Sequence, residues 1–342
     1  MVFTHHTFAG GIGGLRGVDI FFCLSGFVVT RLLLKETRLT GTISLRQFYE
    51  RRAFRLFPAL IGSVVLYAVV RLLTSGSVAL GLILKSSFLA LTWLSNLKPV
   101  DDILGPTWSL CVEAHFYFGL PILLLILHKR RKLLFVAMVA IGVLSISLRT
   151  FLLTDAGCRF VENLRLPVVV GHYSFTLARL DQLLFGAAAA VLEQAGVGKS
   201  FTGRLNSSAF VFGLLLFVPV YSVLFPGLIG YWSGFLFIGL LFPLLFLVLA
   251  RATEEKTLAR RFLCSRPLQW VGARSYGLYV YHMVVLAFGS YLWPAANPFV
   301  NPNADPVHAF ILRCASLLAL LFVGAVSFRW IEQPFLKRRA SK

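Results

Sequence analysis

Acidic residues are scarce in this chain. It has 342 residues, with 14 Asp and Glu against 33 Lys and Arg. Charged residues of both signs together make up only 14%, where a soluble domain carries roughly 25%. That deficit argues against a water-soluble globule. Cysteine is thin as well: Cys23, Cys111, Cys158, Cys264 and Cys314 are scattered, with no C-x-x-C among them. Neither a disulfide frame nor a zinc site is expected, and the five thiols read as small apolar fillers. The chain has no H-E-x-x-H, no G-x-S-x-G elbow and no Ser-His-Asp order, so neither a metallohydrolase nor a serine hydrolase is expected. Repeats of 20–50 residues are missing. So are the alternating ten-residue segments of an outer-membrane barrel. No cleavable secretory signal is expected either.

Apolar surface dominates what is there. Hydrophobic residues make up 58% of the chain and the mean hydropathy is +0.80. Several runs approach the roughly 20 residues that a helix needs to cross a bilayer. The expected fold is all-α, a polytopic transmembrane helical bundle. Nine spans are read, near 17–34, 56–73, 108–127, 133–153, 174–193, 208–225, 233–250, 269–292 and 309–331.

The net charge of +19 would point to nucleic acid in a soluble chain. Here it lies between apolar spans, so no nucleic-acid partner is expected. The connections 35–55, 128–132, 193–207, 251–267 and the tail carry 21 Lys and Arg, and the opposite set carries 4. The excess of basic residues places the first set and the C-terminus in the cytoplasm, in a multi-pass protein of the cytoplasmic membrane. Residues 78–95 are apolar enough to span, but a crossing there would put the basic run HKRRK outside. They are therefore expected to form an interfacial or re-entrant element.

Ionisable groups within spans are costly and mark candidate sites. Ser109, Glu113 and Tyr117 follow one another at i, i+4 and i+8, which puts them on one helical face. Ser275, Tyr279 and His282 share a face at i, i+4 and i+7. For both stripes the alternative is interhelical hydrogen bonding. Arg179 and Asp181 are two apart, so on a helix they point to different sides and must find partners on other spans. Arg51, Arg52 and Arg55 crowd the cytoplasmic entry of a span. They read either as headgroup anchors or as a phosphate clamp, since guanidinium forks match phosphate oxygens. His5 and His6 precede GGIGGLRG, a turn-permitting string that is no dinucleotide fingerprint. An imidazole there can accept a hydroxyl proton. No metal ligand set is evident.

Taken together, these segments resemble the membrane acyltransferase 3 family. GVDIFFCLSGFVVTRLL is similar to its GVD-FF-LSGF signature, and FYERRAFRLFPAL to its arginine-rich segment. TWSLCVEAHFYFGLP is similar to its WSL-VE-FY helix, which contains Trp108. ARLDQLLFGAAAAVL, ARSYGLYVYHMVV (with Tyr276) and RWIEQPFLKR resemble later blocks in the same order. The resemblance covers almost the whole of 1–342 and implies a single membrane domain of about ten helices. It further implies transfer of an acyl group, usually acetyl from acetyl-CoA or another acyl-CoA, with no permanently bound cofactor. The acceptor is a hydroxyl on a glycan, a lipid-linked sugar or a secondary metabolite.

The family's key histidine closes its first helix and maps onto His5, with His6 as the fallback. An arginine expected upstream of it would precede Met1, so the first residues read as the stub of a truncated helix. The arginine motif maps onto Arg52 and Arg55, the aspartate after GV onto Asp19, and the serine of SGF onto Ser25. Ala114-His115 stands where the family often has Glu-Gln. His5 is then the general base on the acceptor hydroxyl, with Glu113 or Asp19 orienting its ring. Arg51, Arg52 and Arg55 hold the donor's phosphates. An acyl-histidine intermediate fits the same residues. The competing class is a non-catalytic glycan or lipid transporter, or flippase, whose polar stripes line a path.

Overall fold

The computed structural model describes residues 14–163, 174–196, 258–297, 301 and 303–340, and between 208 and 248 the residues 208–209, 212–213, 216–217, 220–221, 239 and 241–248. Every regular element among them is helical. His5, His6 and the initial stub lie outside the described residues, as do most of the expected spans 208–225 and 233–250.

The chain divides into two compact units, one drawn from Met1–Ser44 and Val112–Gln269, the other from Leu45–Cys111 and Trp270–Lys342. The first unit is built on α1, Gly14–Thr40. Phe22, Val29 and Leu33 on this helix are buried, while Phe21, Leu24, Val28 and Leu32 form an exposed stripe at helical spacing. A continuous apolar stripe of this kind is a lipid-facing surface. Helix α1 ends where Gly41 takes φ +79 and its N–H bonds the Thr37 carbonyl at 2.9 Å, a left-handed cap that suits glycine.

The remainder of α4 (Thr107–Leu127, whose first turn belongs to the second unit), α5 (Arg131–Phe151) and α6 (Asp155–Asn163) follow in the first unit, and then α7 (Asp181–Gln194). Helix α7 packs on both α1 and α5. Its crossing with α1 is very close. A Cβ added to Gly26 would sit 1.9 Å from the Leu183 carbonyl oxygen, and one added to Gly186 would sit 2.0 Å from that of Cys23. Without a hydrophobic drive between helices in lipid, such small-residue contact is how they gain packing energy. Phe27 and Phe246, with ring centroids 5.6 Å apart, extend this core onto the helical residues 241–248.

The second unit contains α2 (Leu45–Ser75), the short α3 (Leu80–Leu91), α9 (Arg266–Leu292, whose first turn belongs to the first unit), α10 (Pro306–Ser327) and α11 (Gln333–Ala340); α8 (Leu258–Leu263) lies in the first unit. A π-turn, Phe328–Glu332, joins α10 to α11, and this junction packs on α2. Helix α2 has 31 residues, or about 46 Å at 1.5 Å per residue, against a hydrocarbon core of about 30 Å.

Five stretches among the described residues are long and apolar enough to cross a membrane: Gly17–Thr40, Leu45–Leu91, Thr107–Leu127, Arg131–Phe151 and Pro306–Lys337. The chain is therefore an all-α, multi-pass membrane protein. Two sequence expectations need correction. The connection 35–55 is mostly helix, with only 41–44 between α1 and α2, because the basic residues extend the spans as helical ends. The segment 174–193 is not one span: a 3-10 turn, Thr176–Ala178, precedes the 14-residue α7. Residues 80–91 are helical, and at 12 residues α3 covers only about 18 Å, short of a full crossing.

Candidate active site

In the first unit, α1 presents Asp19 toward the turn before α7. Its Oδ1 lies 2.6 Å from Nη2 of Arg179, and each side chain is 1% exposed. Arg179 also stands over the Phe22 ring, 5.8 Å from its centroid. Two residues on, Asp181 opens α7 and receives Arg149 of α5 through two parallel bonds of 3.0 Å. Arg149 further donates to the Ala178 carbonyl at 3.0 Å, and Gln182 donates to Asp181 at 3.2 Å. Arg179 and Asp181 therefore do find partners on other helices. The reason differs from the one expected, since Arg179 lies before the helix, with φ −129, and is not on its opposite face. Charges taken this far from water persist only when matched and hydrogen-bonded.

Ser25, one turn and a half along α1, meets α4. Its hydroxyl donates to Oε1 of Glu113 at 2.5 Å and lies 2.7 Å from the Tyr117 hydroxyl. Tyr117 also donates to Glu113 Oε1. Two hydroxyls thus converge on one buried carboxyl oxygen, an arrangement that fixes the orientation of the group. His115, on the next face of α4, pairs through Nδ1 with the Thr176 hydroxyl at 2.7 Å.

In the second unit, the Ser109 hydroxyl lies 2.6 Å from that of Tyr279, and both reach the Pro106 carbonyl at 3.0 Å. This is helix-to-helix bonding of the kind foreseen as the alternative for that stripe. His282 is buried, with Nδ1 against the Tyr279 carbonyl. Tyr276 donates to the Leu56 carbonyl at 2.9 Å. Trp108 is half-buried at the start of α4. Ser275 departs from the expected stripe. It is exposed and its hydroxyl bonds the Gly272 carbonyl at 2.9 Å, satisfying its own helix.

The three arginines near the start of α2 have different surroundings. Arg51 reaches Gln47 at 3.4 Å, Arg52 stands over the Phe48 ring at 5.6 Å, and Arg55 lies within electrostatic reach of Glu332 without an ion pair to it. The π-turn carries Glu332 inward, where it is 5% exposed, close enough that a Cβ on Gly277 would lie 2.7 Å from its Oε1. Arg274, the second cation facing Glu332, is sandwiched between the Trp270 and Phe328 rings at 4.3 and 4.5 Å.

Four participants were missed from sequence. Arg149 ends an apolar span and carries no motif; the signal for it was Asp181, which needed a cation. Glu332 and Arg274 lie in blocks that were recognised but whose charges were not singled out. Arg71, bound to Asp101 through bonds of 2.6 and 2.7 Å with Tyr67 beside it at 3.2 Å, gave no spacing signal because its partner lies 30 residues away. Among the described residues no group of three or more His, Cys, Asp or Glu is placed to hold a metal ion.

A family model described as an acyltransferase domain matches residues 1–329. Among curated proteins, a provisionally named O-acetyltransferase of Staphylococcus aureus strain COL, SACOL0978, is 28% identical over 350 aligned residues, covering 95% of this chain and 53% of the relative. O-acetyltransferase OatA of Staphylococcus aureus strain NCTC 8325 is 27% identical with the same coverage, as is OatA of strain COL. The chain spans about half the length of the curated relatives it matches. No solved structure matches.

Proposed function

The chain belongs to the acyltransferase 3 family, and from that premise we propose that it is an integral-membrane O-acetyltransferase. It moves an acetyl group from acetyl-CoA to a hydroxyl of a glycan, a lipid-linked sugar or a related acceptor. The observation that carries this reading is the Ser25–Glu113–Tyr117 cluster. A carboxylate is buried and held in one orientation by hydroxyls on the two helices that bear the GVD-FF-LSGF and WSL-VE-FY blocks.

In the proposed reaction His5 takes the proton of the acceptor hydroxyl as its oxygen attacks the thioester carbonyl. The C–O bond forms, the C–S bond breaks, and the proton passes from the imidazolium to the departing thiolate of coenzyme A. General-base assistance of this kind contributes about 10²–10⁴-fold. Glu113, held by Ser25 and Tyr117, or Asp19, held by Arg179 at 2.6 Å, orients the imidazole. His6 is the second candidate base. Arg51, Arg52 and Arg55 hold the donor's phosphates at the cytoplasmic surface of the membrane, with the C-terminus on that side. The sidedness of basic residues supports this orientation.

The test is incorporation of labelled acetyl from acetyl-CoA into base-labile esters of cell-envelope glycan by membranes containing the protein. Label above that of membranes lacking the protein is expected. Movement of glycan across the bilayer without label would favour the transporter reading instead. Arg52→Ala with Arg55→Ala should raise KM for acetyl-CoA far more than for the acceptor, and equal effects would mark these arginines as headgroup anchors.

A further inference from the structure

At one end of the first unit, α1, the α4–α5 connection and the C-terminus of α7 enclose two adjoining open pockets of about 420 and 360 Å³ that share Arg38 and Gln194. Arg31, Lys35 and Arg38, at i, i+4 and i+7 on α1, line them from one side. His128, Lys129 and Arg131 line them from the other. The acidic counterweight among the lining residues is Glu193, and it is already bound to Arg31 at 3.1 Å. Arg131 reaches the Gln194 carbonyl at 3.4 Å, where the α7 helix ends. Lys35, Arg38 and Lys129 make no ion pair with any described residue.

Basic residues that serve only to orient a membrane protein need no concavity, because the charge on a loop suffices. Here Arg31, Lys35 and Arg38 line one pocket and Arg38, Lys129 and Arg131 the adjoining one, so five cationic side chains crowd two neighbouring volumes against one carboxylate, an excess of positive charge that favours an anion. We propose that this basic recess binds a phosphate-bearing ligand. Guanidinium and ammonium groups from α1 on one side, and from the α4–α5 connection with the first residue of α5 on the other, suit the several oxygens of a phosphate. Two sources share that chemistry. One is the headgroup of an anionic phospholipid, whose tails would run toward the bilayer along the exposed Leu32 and Val28 of the same helix, 50% and 41% accessible. The other is a soluble nucleotide phosphate. The inference rests on the recess and not on the assignment of the catalytic residues. Arg51, Arg52 and Arg55 belong to the other compact unit.

The experiment uses the whole chain, purified in mild detergent. Native mass spectrometry counts phosphatidylglycerol retained in competition with phosphatidylcholine, and titration calorimetry measures binding of adenosine 3′,5′-bisphosphate. Lys35→Gln, Arg38→Gln and Lys129→Gln together should weaken whichever probe occupies the recess by about 100-fold, at about 1 kcal/mol per cation. Raised salt should weaken it as well. The charge-matched set Arg46→Gln, Arg261→Gln and Lys337→Gln should leave binding within about twofold, at the scale of exposed rim charges. Loss of phosphatidylglycerol alone identifies a lipid site, and loss of the bisphosphate alone identifies a nucleotide site. Equal effects of the two triple substitutions, or no specific binding of either probe, would overturn the proposal.

Discussion

Asp19 and Arg179 show what a single residue costs in this protein. Each is almost wholly buried and the two meet at 2.6 Å, so removing one takes from the other buried charge its ion-pair partner. Arg179→Ala should lower stability by about 3–5 kcal/mol, read as a fall in Tm in detergent. Asp19→Asn with Arg179→Met should recover part of that loss, because the stranded charge is gone. Glu113→Gln is a different case: volume and most hydrogen bonds survive while the charge does not. It should preserve folding and reduce acetyl transfer by about 100-fold. Ser275→Ala should change neither quantity, because its exposed hydroxyl serves only its own helix; a surface change of this kind stays within about 0.5 kcal/mol. At this scale the sequence picked out several of the buried polar groups, though not Arg149 or Glu332, and did not show how they pair. Spacing along one helix foretold that Glu113 and Tyr117 would meet. It could not foretell that Arg149 serves Asp181, 32 residues away.

At the scale of elements, the α1–α7 crossing depends on two absent side chains. Gly26→Val and Gly186→Val each drive atoms into the backbone of the facing helix. They should destabilise by at least the 1–3 kcal/mol typical of overpacking, with faster proteolysis of the folded protein in detergent. Gly119→Ala is the control. Its Cβ meets nothing within 4 Å, and a gain of up to about 1 kcal/mol in helix propensity should raise Tm slightly. The blocks LSGF and FGAAAA were legible as family blocks but not as a close helix crossing, and apolar length located α4, α5 and α9 to within a few residues. The ends of helices were less legible. Hydropathy stops at the first charge, yet α2 continues through its arginines, whose side chains reach beyond the apolar zone while the backbone stays helical.

For the whole molecule, composition alone settled the solvent. Few charges, long apolar runs and one-sided basic residues described a multi-pass helical protein, and the structure has exposed leucine and valine stripes where lipid belongs. The division into two units was not legible, because each is assembled from separated stretches of chain joined through long-range contacts. The charge asymmetry makes a global prediction. A cysteine at Lys98 should react with an impermeant maleimide applied outside intact cells, and one at Lys337 should react only after the cytoplasmic face is opened. The reverse pattern would invert the proposed topology.

The most direct measurement is acetyl transfer from labelled acetyl-CoA to envelope glycan, compared among the unaltered protein, His5→Ala and His6→Ala at equal levels in the membrane. The account predicts base-labile label with the unaltered protein, its loss with His5→Ala, and retention of most of it with His6→Ala. Undiminished label in both histidine variants would contradict it.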